Sequence, residues 1–360
     1  TFARLGGDEF GFLLTDAGAR GARELVARIQ RALAEPFTLQ QLPLEVEASI
    51  GIAVFPEHGD SVDLLLQRAD VAMYVAKRGG EGFAFYDRDE DEHTSMRLTM
   101  VGELRRALEE RELVVHYQPQ VELDTGLVTG VEALVRWQHP SRGLLLPDEF
   151  VPTAERTGLM APLARYVIDE ALRQRREWRR IGHELTVAVN VSMRNLLDAA
   201  FPADVAALLE RRRAPASCLE LEITEHTAVA DRFRAKAVLE RLGGMGLRVA
   251  IDDYGTGYSS LAFLRRLPLH EIKIDRSFVR TMTTDRDDAV IVRSTIDLAR
   301  NLGLRVIAEG VETAEIYDAL VELGCDSAQG HHLSPPVPAH ELTAWLADRG
   351  RGASAEDHAA

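Results

Sequence analysis

Eight short apolar runs, rich in β-branched residues, recur at 113–120, 127–137, 186–191, 219–224, 247–253, 271–275, 304–309 and 325–329. Helical patterns separate most of them, for example over 163–181, 232–242, 287–302 and 312–323. Strands that alternate with helices read as βαβ units and a parallel sheet. Eight such strands within about 250 residues fit one closed α/β barrel. The first two runs are joined only by Asp124-Thr125-Gly126, too short for a parallel crossover, so they are predicted to form a hairpin. One barrel strand then runs antiparallel.

The 360 residues suggest about two domains at ~150 residues each. Residues 1–87 carry the second: an alternating start, two glycines at Gly6-Gly7, helical patterns over 19–33 and 61–77, and a strand-like stretch at 44–54. Glycines between alternating apolar runs signal a hairpin. This is less than a full domain, and the strand-like first residues predict that its beginning is missing. The acidic stretch from Asp87 to Glu92 places a charged linker at 88–99, the barrel at 100–350 and a small, polar, disordered tail at 351–360.

The formal charge of −15 excludes a coat for nucleic-acid polymers, which needs a basic surface. No apolar run approaches the ~18–20 residues of a membrane span, and the N-terminus lacks a signal-peptide layout. A cytoplasmic chain without membrane contact is expected, with any anchor lying in a missing N-terminal segment. Cys218 and Cys325 fit neither a disulfide framework nor a zinc site and read as buried thiols. Among 42 basic residues only Lys77, Lys236 and Lys273 are lysine.

Barrel enzymes gather their chemistry at the C-terminal strand ends. The polar residues closing the apolar runs are Glu132, Asn190, Glu222, Asp252 with Asp253, Lys273, Glu309 and Gln329. Carboxylates converging on one cleft repel unless cations are bound, and an all-oxygen donor set suits Mg²⁺ or Mn²⁺ rather than zinc. Asp252-Asp253 suits a bridge between two ions ~3.5–4 Å apart, the spacing used for phosphodiester cleavage. Lys273 lies between two isoleucines, so an inward ammonium there needs the carboxylates of the same rim. On spacing alone, Glu312 reads equally well as a first-turn helix acid favoured by the dipole. The competing reading, strand-end acids that only form surface ion pairs, leaves all these residues idle.

These residues sit in an ordered motif series: Glu132-Ala133-Leu134-Val135-Arg136-Trp137, Asn190-Val191-Ser192, Glu222-Ile223-Thr224-Glu225, Asp252-Asp253-Tyr254-Gly255-Thr256-Gly257-Tyr258-Ser259-Ser260, Lys273-Ile274-Asp275, Ala308-Glu309-Gly310-Val311-Glu312 and Gln329-Gly330. Over about 250 residues the series resembles that of the EAL-domain cyclic di-GMP phosphodiesterases. The resemblance implies an EAL-type (β/α)8 barrel with one antiparallel strand that hydrolyses cyclic di-GMP to linear pGpG using two Mg²⁺ or Mn²⁺ ions. It implies that Glu132, Asn190, Glu222, Asp252 and Asp253 bind metal, and that Lys273 and Glu309 position and deprotonate the attacking water. Glu312 then supports that pair, Glu225 holds the loop from Asp252 to Ser260, and Gln118, Arg136 and Gln329 contact substrate. A homodimer paired near that loop is also implied.

Two positions depart from the family pattern. Tyr254 replaces the usual phenylalanine, a nearly isosteric change. His331-His332 follows Gln329-Gly330 where an aromatic is usual, and solvent is the expected neighbour of both rings. A degenerate receptor that binds cyclic di-GMP without cutting it is the main alternative, and such receptors lose ligands that this chain retains.

Arg4-Leu5-Gly6-Gly7-Asp8-Glu9-Phe10, Ser49-Ile50-Gly51-Ile52-Ala53 and the segment from Ala69 to Lys77 resemble the later half of the GGDEF domain of diguanylate cyclases. The resemblance implies a partial α+β domain in which Gly6, Gly7, Asp8 and Glu9 serve nucleotide and metal binding, with GTP as the ligand. Glu81 stands where that family has a phosphate-binding arginine, and the first half of the domain is absent. No cyclase activity is expected from this chain; a bifunctional cyclase and phosphodiesterase would require the full-length protein.

Overall fold

A computed structural model describes the chain except at residues 7–8, 16, 34–36, 40–41, 45–47, 80–81, 88–99, 226–231, 257–266 and 357–360. Gly7, Asp8, Glu81, the 88–99 linker and the loop beyond Thr256 fall outside the described residues. Two compact units emerge, Thr1–Met100 and Val101–Ala360.

In the first unit, β1 (Phe2–Gly6) and β2 (Glu9–Phe12) form the expected antiparallel hairpin. The helix Gly18–Leu33 follows, then the hairpin of β3 (Phe37–Leu39) and β4 (Leu42–Leu44). β5 (Ile50–Ile52) pairs in parallel with β6 (Phe83–Phe85) across the helix Val62–Gly79. That helix packs so close to β5 that a Cβ on Gly51 would collide with the backbone of Ala69 and Met73.

In the second unit, β7 (Leu113–Glu122) and β8 (Val128–His139) form the hairpin predicted from the short Asp124-Thr125-Gly126 connection. Gly126 closes it at φ 67°, a left-handed conformation that favours glycine. β9 (Gly143–Leu145) extends the edge of β8. Six further strands of the ring follow: β10 (Thr186–Asn190), β11 (Leu219–Thr224), β12 (Arg248–Tyr254), β13 (Glu271–Ile274), β14 (Arg305–Ala308) and β15 (Ser327–Ala328), and a short β16 (Val337–Pro338) pairs with the outer end of β7. β8, β10, β11, β12, β13, β14 and β15 pair in parallel in that order. β7 closes the ring between β15 and β8 and is antiparallel to both.

Helices cover this wall. Met160–Arg180 buries Leu163, Val167, Ile168, Ala171, Leu172 and Trp178 at helical spacing, and its Trp178 ring meets Tyr117 of β7 edge-on at 4.9 Å. Arg286–Leu302 begins where the Asp285 side chain accepts the N–H groups of Asp287 and Asp288, and ends at Gly303 with φ 70°. Phe201–Arg212 and Pro147–Thr157 carry proline in their first turn, where its missing N–H is not needed. Residues 351–356, expected to be disordered, instead continue the final helix Ala339–Glu356. Among the described residues no helix is long and apolar enough to cross a membrane.

The turn after β15 depends on Gly330, where an added Cβ would strike the backbone N and O of Val311. Gly330→Ala is expected to destabilise the protein by about 1–3 kcal/mol in denaturant titrations. Gly102→Ala, at a helical position with nothing within 4 Å of the new Cβ, should stabilise it by roughly 0.5–1 kcal/mol.

Candidate active site

Strand register brings the candidate residues together. Glu132 lies opposite Gln118 of β7 and Ala188 of β10, two residues before Asn190. Asn190 lies opposite Glu222, and Thr224 opposite Asp252. Lys273 lies opposite Ile307, two residues before Glu309. Residues two apart on a strand share a face, so these side chains point into one barrel mouth. They were expected at strand ends, yet Glu132, Glu222 and Lys273 lie within their strands. β8 runs on to His139 because its far half pairs with β7 and β9.

Lys273 is the centre. Its fully buried Nζ is 2.6 Å from Glu309, 2.8 Å from Glu222, 3.4 Å from Glu132 and 3.5 Å from Asp252. Burial disfavours its charge, but Asp252, Glu132, Glu222 and Glu309 together hold its pKa well above the usual lysine value. The carboxylates divide. Burial raises Glu132, but Lys273, Gln329 and Asn190 lower it on balance. Glu222 is pushed well above the carboxylate range by burial and by Glu132. Burial, partly offset by Lys273, raises Glu309 to about 8.

Asn190 Nδ2 donates to Glu132 Oε1 at 2.7 Å, and Gln329 Nε2 donates to Glu132 Oε2 at 2.5 Å and to Gln118 Oε1 at 3.0 Å. Gln118 in turn donates to the carbonyl of Ser334 at 3.0 Å. Expected as substrate contacts, the two glutamines are buried and spend these groups fixing Glu132. Arg136 is half-buried, and its Nη1 donates to its neighbour's carbonyl, Val135 O, at 2.9 Å.

Asp253 has φ 54°, a left-handed conformation that costs a non-glycine residue about 1–3 kcal/mol. It coincides with a register break between Ile251 and Tyr254 against β13. The bulge turns Asp253 to the same side as Asp252, and ligand oxygens of Asp252, Asp253 and Glu309 lie within 4.8 Å of one another. Burial, Asp252 and Asp275 raise Asp253 to about 6. Asp275, to which no role was given from sequence, hydrogen-bonds Asp253 and caps the helix Arg276–Val279 through Ser277 N. Its presence in Lys273-Ile274-Asp275 was the available signal.

Glu225 is buried and accepts the N–H of Gly255 at 3.1 Å, tying the end of β11 to the loop after β12. Glu312 is exposed and pairs with Arg280, and it precedes the Thr313 N-cap, so it is not a first-turn acid. His331 and His332 are both exposed, with the His332 ring 5.9 Å from Tyr317. Of the Gly6, Gly7, Asp8 and Glu9 group, Gly6 ends β1 and Glu9 begins β2.

Among the described residues the donor set at the mouth is carboxylate and amide oxygen, which fits hard divalent cations. Residues with raised pKa beside a fixed ammonium suit proton transfer near neutral pH.

The family model for the EAL domain matches residues 101–336, and that for the diguanylate cyclase GGDEF domain matches residues 1–82. The chain is 42% identical over 349 residues to the bifunctional diguanylate cyclase/cyclic di-GMP phosphodiesterase MucR of Pseudomonas aeruginosa, covering 96% of this chain and 51% of that protein. It is 38% identical over 344 residues to the cyclic di-GMP phosphodiesterase PdeR of Escherichia coli, covering 95% and 52%. The chain thus spans about half the length of these curated relatives. The solved PaMucR phosphodiesterase in complex with c-di-GMP superposes with a TM-score of 0.65 at 46% identity, covering 68% of this chain and 99% of that one.

Removing the central ammonium leaves buried carboxylates uncompensated. Lys273→Ala is therefore expected to lose about 3–5 kcal/mol of stability, read as a fall in denaturation midpoint at neutral pH.

Proposed function

The chain belongs to the EAL domain family, and from that premise we propose that its barrel hydrolyses cyclic di-GMP to linear pGpG with Mg²⁺ or Mn²⁺. The observation that carries the reading is the Lys273–Glu309 pair, 2.6 Å apart within a ring of oxygen donors. Glu132, Asn190, Glu222 and Asp252 are suited to hold one ion, and Asp253 with Asp252 a second. When bound, such ions polarise the phosphate and acidify water.

The chain's own groups do the rest. Glu309 takes the proton from the attacking water, and its elevated pKa matches a base that works near pH 7. Lys273 stays cationic, aligns the Glu309 carboxylate and offsets negative charge gathering at the phosphate. Gln329, Gln118 and Asn190 keep Glu132 in one orientation. Glu225 holds Gly255, and with it the backbone just beyond Asp253. Arg136 supplies a cation for a substrate phosphate.

The test is to incubate the purified chain with cyclic di-GMP and Mg²⁺ or Mn²⁺, with and without chelator, and follow pGpG by chromatography. Metal-dependent product that vanishes in Glu132→Ala is expected. Glu309→Gln should keep binding and lower kcat by at least ~10²-fold, the low end for a lost general base. Binding without product in the unaltered chain would overturn hydrolysis in favour of a receptor.

A further inference from the structure

One polar residue of the mouth stands outside the constellation around Lys273. His116 lies on β7 two residues before Gln118, opposite Leu134 of β8 on one side and Pro338 of β16 on the other. Burial alternates along this half of β7: Leu113, Val115 and Tyr117 are buried, whereas Val114 and His116 are only half-buried. Tyr117 meets Trp178 of the covering helix, so the odd positions face that helix. The even positions face inward with Gln118, whose side chain meets Gln329 and the Ser334 carbonyl. His116 therefore stands one pleat above Gln118 in the barrel mouth, roughly 6.6 Å further out at 3.3 Å per residue.

β8 completes this surface. Leu134 and Arg136 follow Glu132 at the same two-residue interval, and Arg136 lies opposite Val114, diagonal to His116. Diagonal neighbours on paired strands are ~7–8 Å apart, within reach of long side chains. The result is a shelf above the level of Glu132. Val114, Leu134 and Pro338, all half-buried, supply aliphatic contact, Arg136 a charge and His116 an imidazole. Burial and Arg136 lower the pKa of that imidazole, against the smaller pull of Glu341 and the Pro336 backbone. A neutral imidazole has one nitrogen that donates and one that accepts.

We propose that His116 recognises a nucleobase: one guanine of cyclic di-GMP lies on the shelf of Val114, Leu134 and Pro338, and the imidazole hydrogen-bonds its polar edge. This rests on the reading of the barrel as a cyclic di-GMP site. Charge divides the substrate between the two levels. A phosphate is drawn to Arg136 and to ions held by the carboxylates below, whereas a neutral ring among aliphatic side chains offers an anion only a single N–H. Sites for flat ligands are mostly apolar, with a few placed polar groups that fix orientation. Guanine carries donors at N1 and the N2 amino group and acceptors at O6 and N7, which a ring with one donor and one acceptor can meet.

The test uses the full chain and reads affinity apart from turnover. Kd for cyclic di-GMP is measured by calorimetry with chelator present, and KM and kcat with Mg²⁺. His116→Ala should raise Kd and KM by about 5- to 10-fold, the size of one lost hydrogen bond, and by more than it lowers kcat. His116→Gln, which again presents a donor and an acceptor, should come within ~3-fold of the wild type. Cyclic di-AMP, whose base lacks the N1–H and the N2 amino group, should lose less affinity than cyclic di-GMP in His116→Ala, so the preference for guanine narrows. A merely structural role would weaken both dinucleotides alike. His116→Leu fills the same space without a nitrogen and gives the same reading should His116→Ala not fold. Unchanged Kd and KM, equal losses for the two dinucleotides, or a Gln variant as weak as the Ala variant would overturn the role of His116 alone. An unaltered chain that binds cyclic di-GMP without cutting it would overturn hydrolysis and leave the Kd comparison to decide on His116. An unaltered chain that binds it neither with chelator nor with Mg²⁺ would overturn both.

Discussion

Everything at the barrel mouth is organised by one buried ammonium. Two unit charges a few ångströms apart interact by about 4 kcal/mol at an effective dielectric of 20, and Lys273 has four carboxylates within 3.5 Å. Without it, Glu132, Glu222, Asp252 and Glu309 could not all approach one point while charged. Burial raises Glu132, Glu222 and Glu309 and Lys273 lowers them, and the balance leaves Glu222 and Glu309 high and Glu132, which also accepts from Gln329 and Asn190, low. A site that must keep a base ready beside anionic ligands needs that separation. The amide chain from Ser334 through Gln118 and Gln329 reinforces it by fixing which oxygen of Glu132 faces the lysine.

The reversed strand has a specific consequence. Because β7 runs antiparallel between β15 and β8, Gln118 lies directly opposite Glu132, and its side chain meets Gln329 just past β15. A parallel strand would require a long crossover at this point, whereas the hairpin joins the two strands through a short turn. Asp253 adds a local device of the same kind. Its left-handed backbone and the bulge it produces bring two consecutive residues of one strand to the same side, which regular alternation forbids.

Most of this was legible from sequence because alternation and turn length are local signals. The eight strands, the antiparallel one among them, and the polar residue that each strand directs inward follow from apolar runs and the Asp124-Thr125-Gly126 turn. What was not legible depended on partners distant in sequence. The hydrogen bond from Gln329 to Gln118, across 211 residues, has no local signal in the sequence. The ion pair of Glu312 with Arg280, 32 positions earlier, is likewise invisible in the sequence. The depth of Glu132 within β8 was hidden because a strand's length beyond the wall depends on its neighbours. Glu220, Arg248, Glu271 and Arg305 look like ordinary surface charges in sequence, since nothing local reveals that their strands close into a ring.

That closure also explains how so charged an interior is tolerated. Residues that alternate with the inward set, among them Val187, Val189, Leu219, Leu221, Ile223, Val249, Ile251, Ile272 and Ile274, are all at most 1% exposed beneath the helices. The apolar burial that stabilises the fold therefore lies between wall and helices, at about 25 cal/mol per Å² removed from water. The barrel interior is left free for polar chemistry. On β11 and β13 its two charged layers, the mouth set and a floor of Glu220, Arg248, Glu271 and Arg305, lie one pleat apart, roughly 6.6 Å at 3.3 Å per residue, and on β12 and at the end of β14 they lie two pleats apart. Ala188 and Ala250 lie at the level between them, small enough to let the charged side chains on either side fill the lumen. A strand can thus carry a carboxylate for the mouth and another for the floor in the sequence Glu220-Leu221-Glu222, because the leucine between them faces the hydrophobic shell.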